Sequence, residues 1–324
     1  MKFLYMTDTH IRGNSPQGRL DNFPETLARK LSEVVQLANR LEVAALLHGG
    51  DLFDTPNPTL AVTGIFTDIL KQCRAPVIAV AGNHDLFAYN PATLGRTMLG
   101  FLARLGLLKL LQPGERLYFK SPNLTVQLTG QHFHAELDRE EPRRGYLTDK
   151  KDCDLAVHMV HGMLLQKNIF PGALYTLIEH IAPHTQADFT LCGHAHLGFA
   201  DTKINERYFI NPGAMVRLSA MPEEISRRPQ VVLLDFSSAA AKYSKIPLQS
   251  ALPGEQVLDR SHIDAKVFQE EKLAAFVQSI KAAGEYEISD INDIVNNIAV
   301  SKKLPDEVRE EALKRLAAVQ ETLS

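Results

Sequence analysis

Short, uniformly apolar runs alternate in this chain with longer stretches whose apolar positions recur every three or four residues. Residues 2–7, 43–48 and 77–81 are runs of strand length with both faces apolar, the pattern of strands buried in a parallel or mixed sheet. The stretches between them read as amphipathic helices. Pro24 opens the first, in which Leu27, Leu31, Val34, Val35 and Ala38 fall on one stripe. A second helix is predicted over 59–73 and a third over 91–105. Three strand–helix units of this kind imply an α/β fold with helices outside a largely parallel or mixed sheet.

Beyond residue 105 the pattern is richer in strands. Residues 117–120 and 124–129 alternate and are separated by the turn signal Ser121-Pro122-Asn123. Further runs lie at 155–160, 188–192, 207–211, 231–236 and 241–247, with a helix predicted at 173–182. Leu252-Pro253-Gly254 marks a break, and from Asp264 the chain reads as helix. Leu273, Phe276, Val277 and Ile280 form one stripe, and Ile288, Ile291, Ile294, Val295 and Ile298 another. Pro305 opens a terminal helix with Val308, Ala312, Leu316 and Val319 on one side. The expected organisation is therefore an α/β domain over 1–250, a linker over 251–263 and a small helical extension over 264–324. Such short helices do not bury their stripes alone, so the extension packs on the core or binds a partner.

Composition changes this picture little. With 324 residues, 45% hydrophobic and 23% charged, the chain is of ordinary globular type. No apolar run approaches the length of a membrane span. The three cysteines, Cys73, Cys153 and Cys192, lack metal-type spacing and imply no disulfide framework, so a reduced, cytoplasmic protein is expected. A net charge of −3 does not mark a nucleic-acid binder, but the charge is uneven. Residues 255–324 carry 14 acidic and 9 basic side chains, and residues 1–254 carry 24 and 26. The larger part accommodates a phosphate-bearing substrate, the more so with cations bound.

The chemistry lies where the apolar runs end. The first run closes in Asp8-Thr9-His10, a carboxylate and an imidazole that together suit manganese, iron or zinc. The second closes in Gly49-Gly50-Asp51-Leu52-Phe53-Asp54; glycines let the backbone turn tightly, so that Asp51 can face two metals, while Asp54 reads as a turn or cap residue. The third closes in Gly82-Asn83-His84-Asp85. Here an amide oxygen is a neutral ligand, His84 can reach toward a substrate, and Asp85 can hydrogen-bond its imidazole. The run at 155–160 ends at His161, with His158 inside it as a structural residue. The run at 188–192 leads into Gly193-His194-Ala195-His196, whose alternate imidazoles share a strand face, next to a small buried Cys192. The polar loop at 131–151 mixes Arg139, Arg143, Arg144, Lys150 and Lys151 with Glu136, Asp138, Glu140 and Glu141, as a solvated loop does; His132 or His134 in it is a candidate substrate contact.

Taken in order, D-x-H, G-G-D, G-N-H-D, H-G and G-H-x-H resemble the calcineurin-like metallophosphoesterase superfamily over residues 1 to about 250. The resemblance implies a four-layer αββα sandwich with a dinuclear site at one edge. It implies Asp8, His10 and His196 on a first metal, Asn83, His161 and His194 on a second, and Asp51 bridging both. His84 would contact the phosphoryl group and protonate the leaving oxygen, with Asp85 supporting it. Gly50-Asp51-Leu52-Phe53-Asp54, Val80 to Asp85 and Asn211 to Arg217 are similar to SbcD-type DNA-repair nucleases, and Arg217 is a further candidate substrate contact. That branch implies manganese, DNA as substrate, dimerisation, and an SMC-like ATPase (an SbcC-like partner), with the C-terminal helices either capping the nuclease or docking on that ATPase. The tail here is too short for the larger α/β capping domain usual there. The alternatives within the same chemistry are a small-molecule phosphodiesterase or phosphatase and, less favoured, a non-catalytic scaffold.

Overall fold

The apolar runs pair into two six-stranded sheets in a computed structural model. It describes all residues except 140–143, 169–173, 238–240, 262–268, 270–271, 273–290 and 324. The strands in chain order are β1 (Lys2–Met6), β2 (Ala45–His48), β3 (Val77–Ala79), β4 (Lys109–Leu110), β5 (Leu117–Ser121), β6 (Leu124–Gln131) and β7 (Leu155–Gly162). They continue as the short pair β8 (Leu164–Leu165) and β9 (Thr176–Leu177), then β10 (Phe189–His194), β11 (Thr202–Ile204), β12 (Arg207–Ile210), β13 (Gln230–Asp235) and β14 (Lys242–Pro247). One sheet has the order β14-β13-β1-β2-β3-β4, the other β11-β12-β10-β7-β6-β5. β1 to β4 are mutually parallel and β13 and β14 antiparallel. In the second sheet β6, β7, β10 and β12 are parallel, with antiparallel strands at both edges. Both sheets are mixed.

Side-chain alternation places each strand residue in one of three apolar layers. Phe3 and Tyr5 of β1 meet Val157, Met159 and Leu191 of the facing sheet in the central layer. Leu4 and Met6 point the other way, into a layer built with three helices: α1 (Phe23–Leu41), α2 (Leu60–Leu70) and α3 (Met98–Arg104). On the outer face of the second sheet Val160, Cys192 and Phe209 pack with Leu137, Tyr146 and Ile181. A fully buried residue of this kind contributes about 1.5–3 kcal/mol. The α1 stripe is as predicted, opened by Asn22, whose side chain accepts from Glu25 N, and closed by Glu42 in the left-handed region.

Several elements differ from the sequence pattern. The helix predicted over 91–105 is a 3-10 segment (Pro91–Arg96) followed by α3, because Thr97 caps α3 by accepting from Gly100 N. The helix predicted over 173–182 is strand β9 and one helical turn, Ile178–Ile181, with Ala173 outside the described residues. The glycine and proline that suggested a linker after residue 250 open a short helix, Gly254–Val257, packed into the first unit, with Val257 and Leu258 buried and Leu258 bridged to Arg19.

The chain divides into one unit over 1–260 and a second over 261–324. In the second, helices Ile291–Ser301 and Asp306–Leu323 contact each other, and Leu304 N closes the joint by donating to Ala299 O. The stripe from Leu273 to Ile280, with Ile288, lies outside the described residues, as do Glu140, Glu141 and Arg143 of the 131–151 loop. No helix among the described residues is long and apolar enough to cross a membrane.

Candidate metal centre

Parallel strands end on the same side, so the loops after β1, β2 and β3 lie side by side and lock together through their backbones. Asp8 N donates to Gly50 O, His10 N to Asp51 O and Ile11 N to Leu52 O. This lacing bends the chain sharply: Asp8 (φ 52°), His10 (φ 44°), Asp51 (φ 52°) and His194 (φ 77°) all occupy the left-handed region. Non-glycine residues seldom adopt it, and strained backbone concentrates where function demands a fixed side-chain direction. Gly50, at φ 101°, could carry no side chain in any case, because a Cβ there would overlap the His161 ring.

Two groups of donors meet at Asp51. In the first, His10 Nε2 is 3.0 Å from His196 Nε2 and 3.6 Å from Asp51 Oδ2, and His196 Nε2 is 3.5 Å from Asp8 Oδ1. In the second, His161 Nε2 is 3.3 Å from the same Asp51 Oδ2 and 3.2 Å from Asn83 Oδ1. The ligand atoms of Asp8, His10, Asp51 and His196 lie within 4.8 Å of one another, as do those of Asp51, His161 and His194. Donors bound about 2.0–2.2 Å from a common ion stand roughly 3–3.5 Å apart, close to these spacings.

The donors are held from behind. His161 Nδ1 donates to Gly49 O at 2.8 Å, which makes Nε2 the ring atom that faces Asp51. His194 N donates to both oxygens of Asp8 at 3.1 Å, and Thr7 Oγ1 donates to Asp8 Oδ2 at 2.7 Å. Asp54 Oδ1 stands 3.3 Å from His10 Nδ1, a charge contact rather than an aligned hydrogen bond, and Arg12 Nη1 lies 3.1 Å from Asp54 Oδ2. Asp54 thus orients a donor as well as shaping the turn. His84 Nδ1 donates to the Asp54 backbone oxygen at 3.0 Å, leaving Nε2 as the atom that can meet a substrate. The imidazole rings make edge contacts in two sets, His10 lying 4.8 Å from both His84 and His196, and His161 5.1 Å from His194.

Asp85 does not face His84. Its carboxylate accepts from Leu52 N, Phe53 N and Gly82 N at 2.9–3.2 Å, pinning the β2 loop to the β3 loop. Neighbours in a tight turn point apart, and here the backbone amides take the acidic partner. Burial and the charge of Asp51 push the Asp85 carboxyl up to about 7, against the pull of those amides.

The site attracts positive charge. Burial alone would lower His161, but Asp51 lifts it to about 9, and His161 in turn drives Asp51 well below the carboxylate range. Burial would also lower His10, yet Asp54, Asp51 and Asp8 raise it. His194, half-buried and beside His161, is brought down to about 4, chiefly by loss of solvation, and keeps a free lone pair near neutrality. Asp51 Oδ2 is buried without a hydrogen-bond partner, the orphaned acceptor that a shared cation would satisfy. The donor set suits a pair of divalent ions.

The profile of the calcineurin-like phosphoesterase family matches residues 1–198. The chain belongs to that family. Segments of it are similar to curated proteins named DNA double-strand break repair protein Mre11. The Methanosarcina acetivorans protein is 33% identical over 91 residues, covering 26% of this chain and 14% of that protein. The Methanococcus maripaludis protein is 26% identical over 115 residues, covering 31% and 30%. The matched segments span less than a third of these relatives. Among solved structures, a Danio rerio dimetal phosphatase superposes with a TM-score of 0.45 at 13% identity, covering 77% of this chain and 99% of that one. Thermus thermophilus sulfate thiohydrolase SoxB gives a TM-score of 0.46 at 14% identity, covering 85% and 60%.

In this calcineurin-like phosphoesterase the three expected substrate contacts have different surroundings. His132 is buried, accepts from Ala81 N at Nδ1, and is lowered to about 4 by burial; it is a neutral residue of the sheet junction. His134 is half-buried in the loop, where its backbone oxygen accepts from Leu137 N. Arg217 is buried and spends its guanidinium on Arg227 O and Leu252 O, so the structure gives it to the fold rather than to a substrate. Its segment is held by a basic side chain on every carbonyl: Arg227 on Ala214 O and Val216 O, Lys30 on Met215 O, Arg19 on Arg217 O. The amides of Ala214 and Met215 in turn donate to His196 O and Thr7 O, fixing the backbone of the first donor group. Lys30 sits among apolar helix positions and Arg227 follows a proline-opened turn; neither has a sequence signal tying it to the centre. Phe133 was missed as well: its ring lies 5.5 Å from His194 and 6.4 Å from His161.

Proposed function

We propose that this metallophosphoesterase hydrolyses phosphodiesters in nucleic acid, as a DNA nuclease of the SbcD type. The observation that carries the phosphodiester chemistry is the sharing of Asp51 Oδ2 by two donor groups with His84 alongside. Asp8, His10 and His196 would hold one divalent cation, Asn83, His161 and His194 a second, and Asp51 both. Such a pair supplies Lewis acidity, lowering the pKa of water toward neutrality and offsetting charge on the phosphoryl oxygens. The chain's own contribution is orientation and proton transfer. His84 N donates to Asp51 Oδ1 at 2.8 Å and ring Nδ1 to Asp54 O, so the residue is held at its backbone and at one ring nitrogen. In the imidazolium form, Nε2–H gives its proton to the departing alkoxide and the ring ends neutral. That transfer is worth about 10²–10⁴-fold. His84, His194 and His196 are the half-buried members, so substrate approaches across them.

The Mre11 segments support DNA as the substrate, and the slightly basic balance of residues 1–254 is compatible with it. Manganese as the resident ion, a cytoplasmic location, a homodimer, and an SMC-like ATPase engaged by the C-terminal helices belong to the same reading. The test is direct. The purified protein with manganese is offered single-stranded DNA, duplex ends and bis-(p-nitrophenyl) phosphate. Cutting of either DNA supports the nuclease; hydrolysis of the small diester without DNA cutting, even with an SMC-like ATPase added, leaves a small-molecule phosphodiesterase.

A further inference from the structure

Five residues beyond His84 the chain makes an unusual turn. Ala88 (φ 48°) and Tyr89 (φ 59°) are consecutive non-glycine residues in the left-handed region. The turn is built to stay there. Leu86 is buried, Asn90 N donates to Phe87 O at 3.1 Å, and Thr93 Oγ1 accepts from Phe87 N while donating to Asn90 O at 2.7 Å. What the turn achieves is to bring Tyr89, still 56% exposed, against Phe133, with ring centroids 6.1 Å apart and planes at 71°. Phe133 is itself fixed, its N donating to Ala81 O at the end of β3 and its ring resting on those of His194 and His161. An aromatic path therefore runs from solvent to the second donor group.

Burying Tyr89 elsewhere would be the cheaper use of a large aromatic ring; a strained turn that exposes it calls for a partner. The surrounding charge narrows the choice. The Arg96 guanidinium lies 6.0 Å over the Phe87 ring in the same turn and has no carboxylate partner among the described residues. A cation beside exposed rings is the pairing used to track a single strand, with phosphate on the cation and the base on the ring.

We propose that Tyr89 and Phe133 form a stacking platform for an unpaired nucleobase adjoining the scissile phosphate, with Arg96 meeting the neighbouring phosphate. The substrate class is then a base-bearing single strand or frayed end. This rests on the phosphodiesterase reading above and adds to it a requirement for the base.

The test compares oligothymidylate with an abasic oligomer of the same length, equal in charge and backbone, in the wild type and in Tyr89→Ala, Tyr89→Leu and Tyr89→Phe. The readout is the ratio of kcat/KM for the two oligomers with manganese. Because both are measured on one preparation, the ratio is insensitive to the fraction correctly folded. The wild type should prefer the base-bearing strand, Tyr89→Ala and Tyr89→Leu should lower that ratio about tenfold, and Tyr89→Phe should restore it. A ratio unchanged within twofold in Tyr89→Ala, or no wild-type preference, overturns the platform. Binding of the same fluorescently labelled oligomers in chelator separates the two readings. If neither oligomer is cut but Tyr89→Ala abolishes base-dependent binding, the platform stands and the nuclease falls. Absence of base-dependent binding in the wild type overturns the platform outright.

Discussion

Removing the Asp54 carboxylate should weaken one cation site and leave the other nearly as it was. Burial would raise the Asp54 carboxyl, but His10 and Arg12 hold it below the usual range, so it is ionised at neutral pH. Its Oδ1 lies 3.3 Å from His10 Nδ1, and nothing else offers that nitrogen a partner. A contact from a charged acceptor contributes about 1.5–3 kcal/mol when well aligned. At this distance and without good alignment the contribution falls just below that range, about 1.4 kcal/mol, or tenfold in affinity. That falls within the roughly 10–100-fold range for carboxylates behind ligating histidines. Asp54→Ala should therefore shift one of two manganese-binding steps about tenfold by calorimetric titration. At saturating metal, turnover should stay within a few-fold of wild type, because His84 is held by the Asp54 backbone oxygen, which the substitution retains. Asp54→Asn keeps an oxygen acceptor and should lose less. Both affinities within twofold of their wild-type values would refute the orientation argument, and a collapse of turnover with metal fully bound would place Asp54 in the chemistry instead.

Three further outcomes follow from the same geometry. His84→Ala should lower turnover about 10²–10⁴-fold with metal content intact by elemental analysis; loss of metal would make His84 a ligand. Asp51→Asn should weaken both cation sites together, since Oδ2 belongs to both donor groups, and one tight site surviving in metal titration would contradict the bridging role. His158, buried between Thr129 Oγ1 and Gly145 O, is lowered by burial to about 4, against the pull of the Gly145 carbonyl. Between pH 6.5 and 4 the unfolded chain binds a proton that the folded one resists, so this stability is present above pH 6.5 and is lost as pH falls through that window. The loss amounts to up to about 3 kcal/mol. His158→Gln should flatten the fall in urea midpoint between pH 7 and 5, and an unchanged slope would refute the assignment.

Why the donors were legible and their supports were not has a physical cause. Asp8, Asp51, Asn83, His161 and His194 each follow or close an apolar run, and parallel strands deliver their ends to one edge whatever the intervening helices do. Reading two mixed sheets with helices outside needed only the alternation of runs and stripes. The supports depend on register between distant segments. Asp54 meets His10 because the loops after β1 and β2 lace together over more than 40 residues of chain, and Lys30 meets Met215 across 185 positions. No local pattern encodes either meeting. Adjacency misled at Asp85, where the neighbouring imidazole was the obvious partner, because three backbone amides from two loops compete for that carboxylate and win it. The short strands β4, β8, β9 and β11 escaped for a related reason: at two or three residues, pairing rather than alternation defines them. The left-handed backbone at Asp8, His10, Asp51 and His194 shows the same division from the other side. Glycine was expected to make the turns in these loops, yet the ligands themselves carry much of the strain. Residues chosen for their donors occupy positions that backbone preference alone would give to glycine, so tertiary hydrogen bonds must offset the cost. The lacing of Asp8 to Gly50 and His10 to Asp51 is therefore as much a part of the metal centre as the side chains it aims.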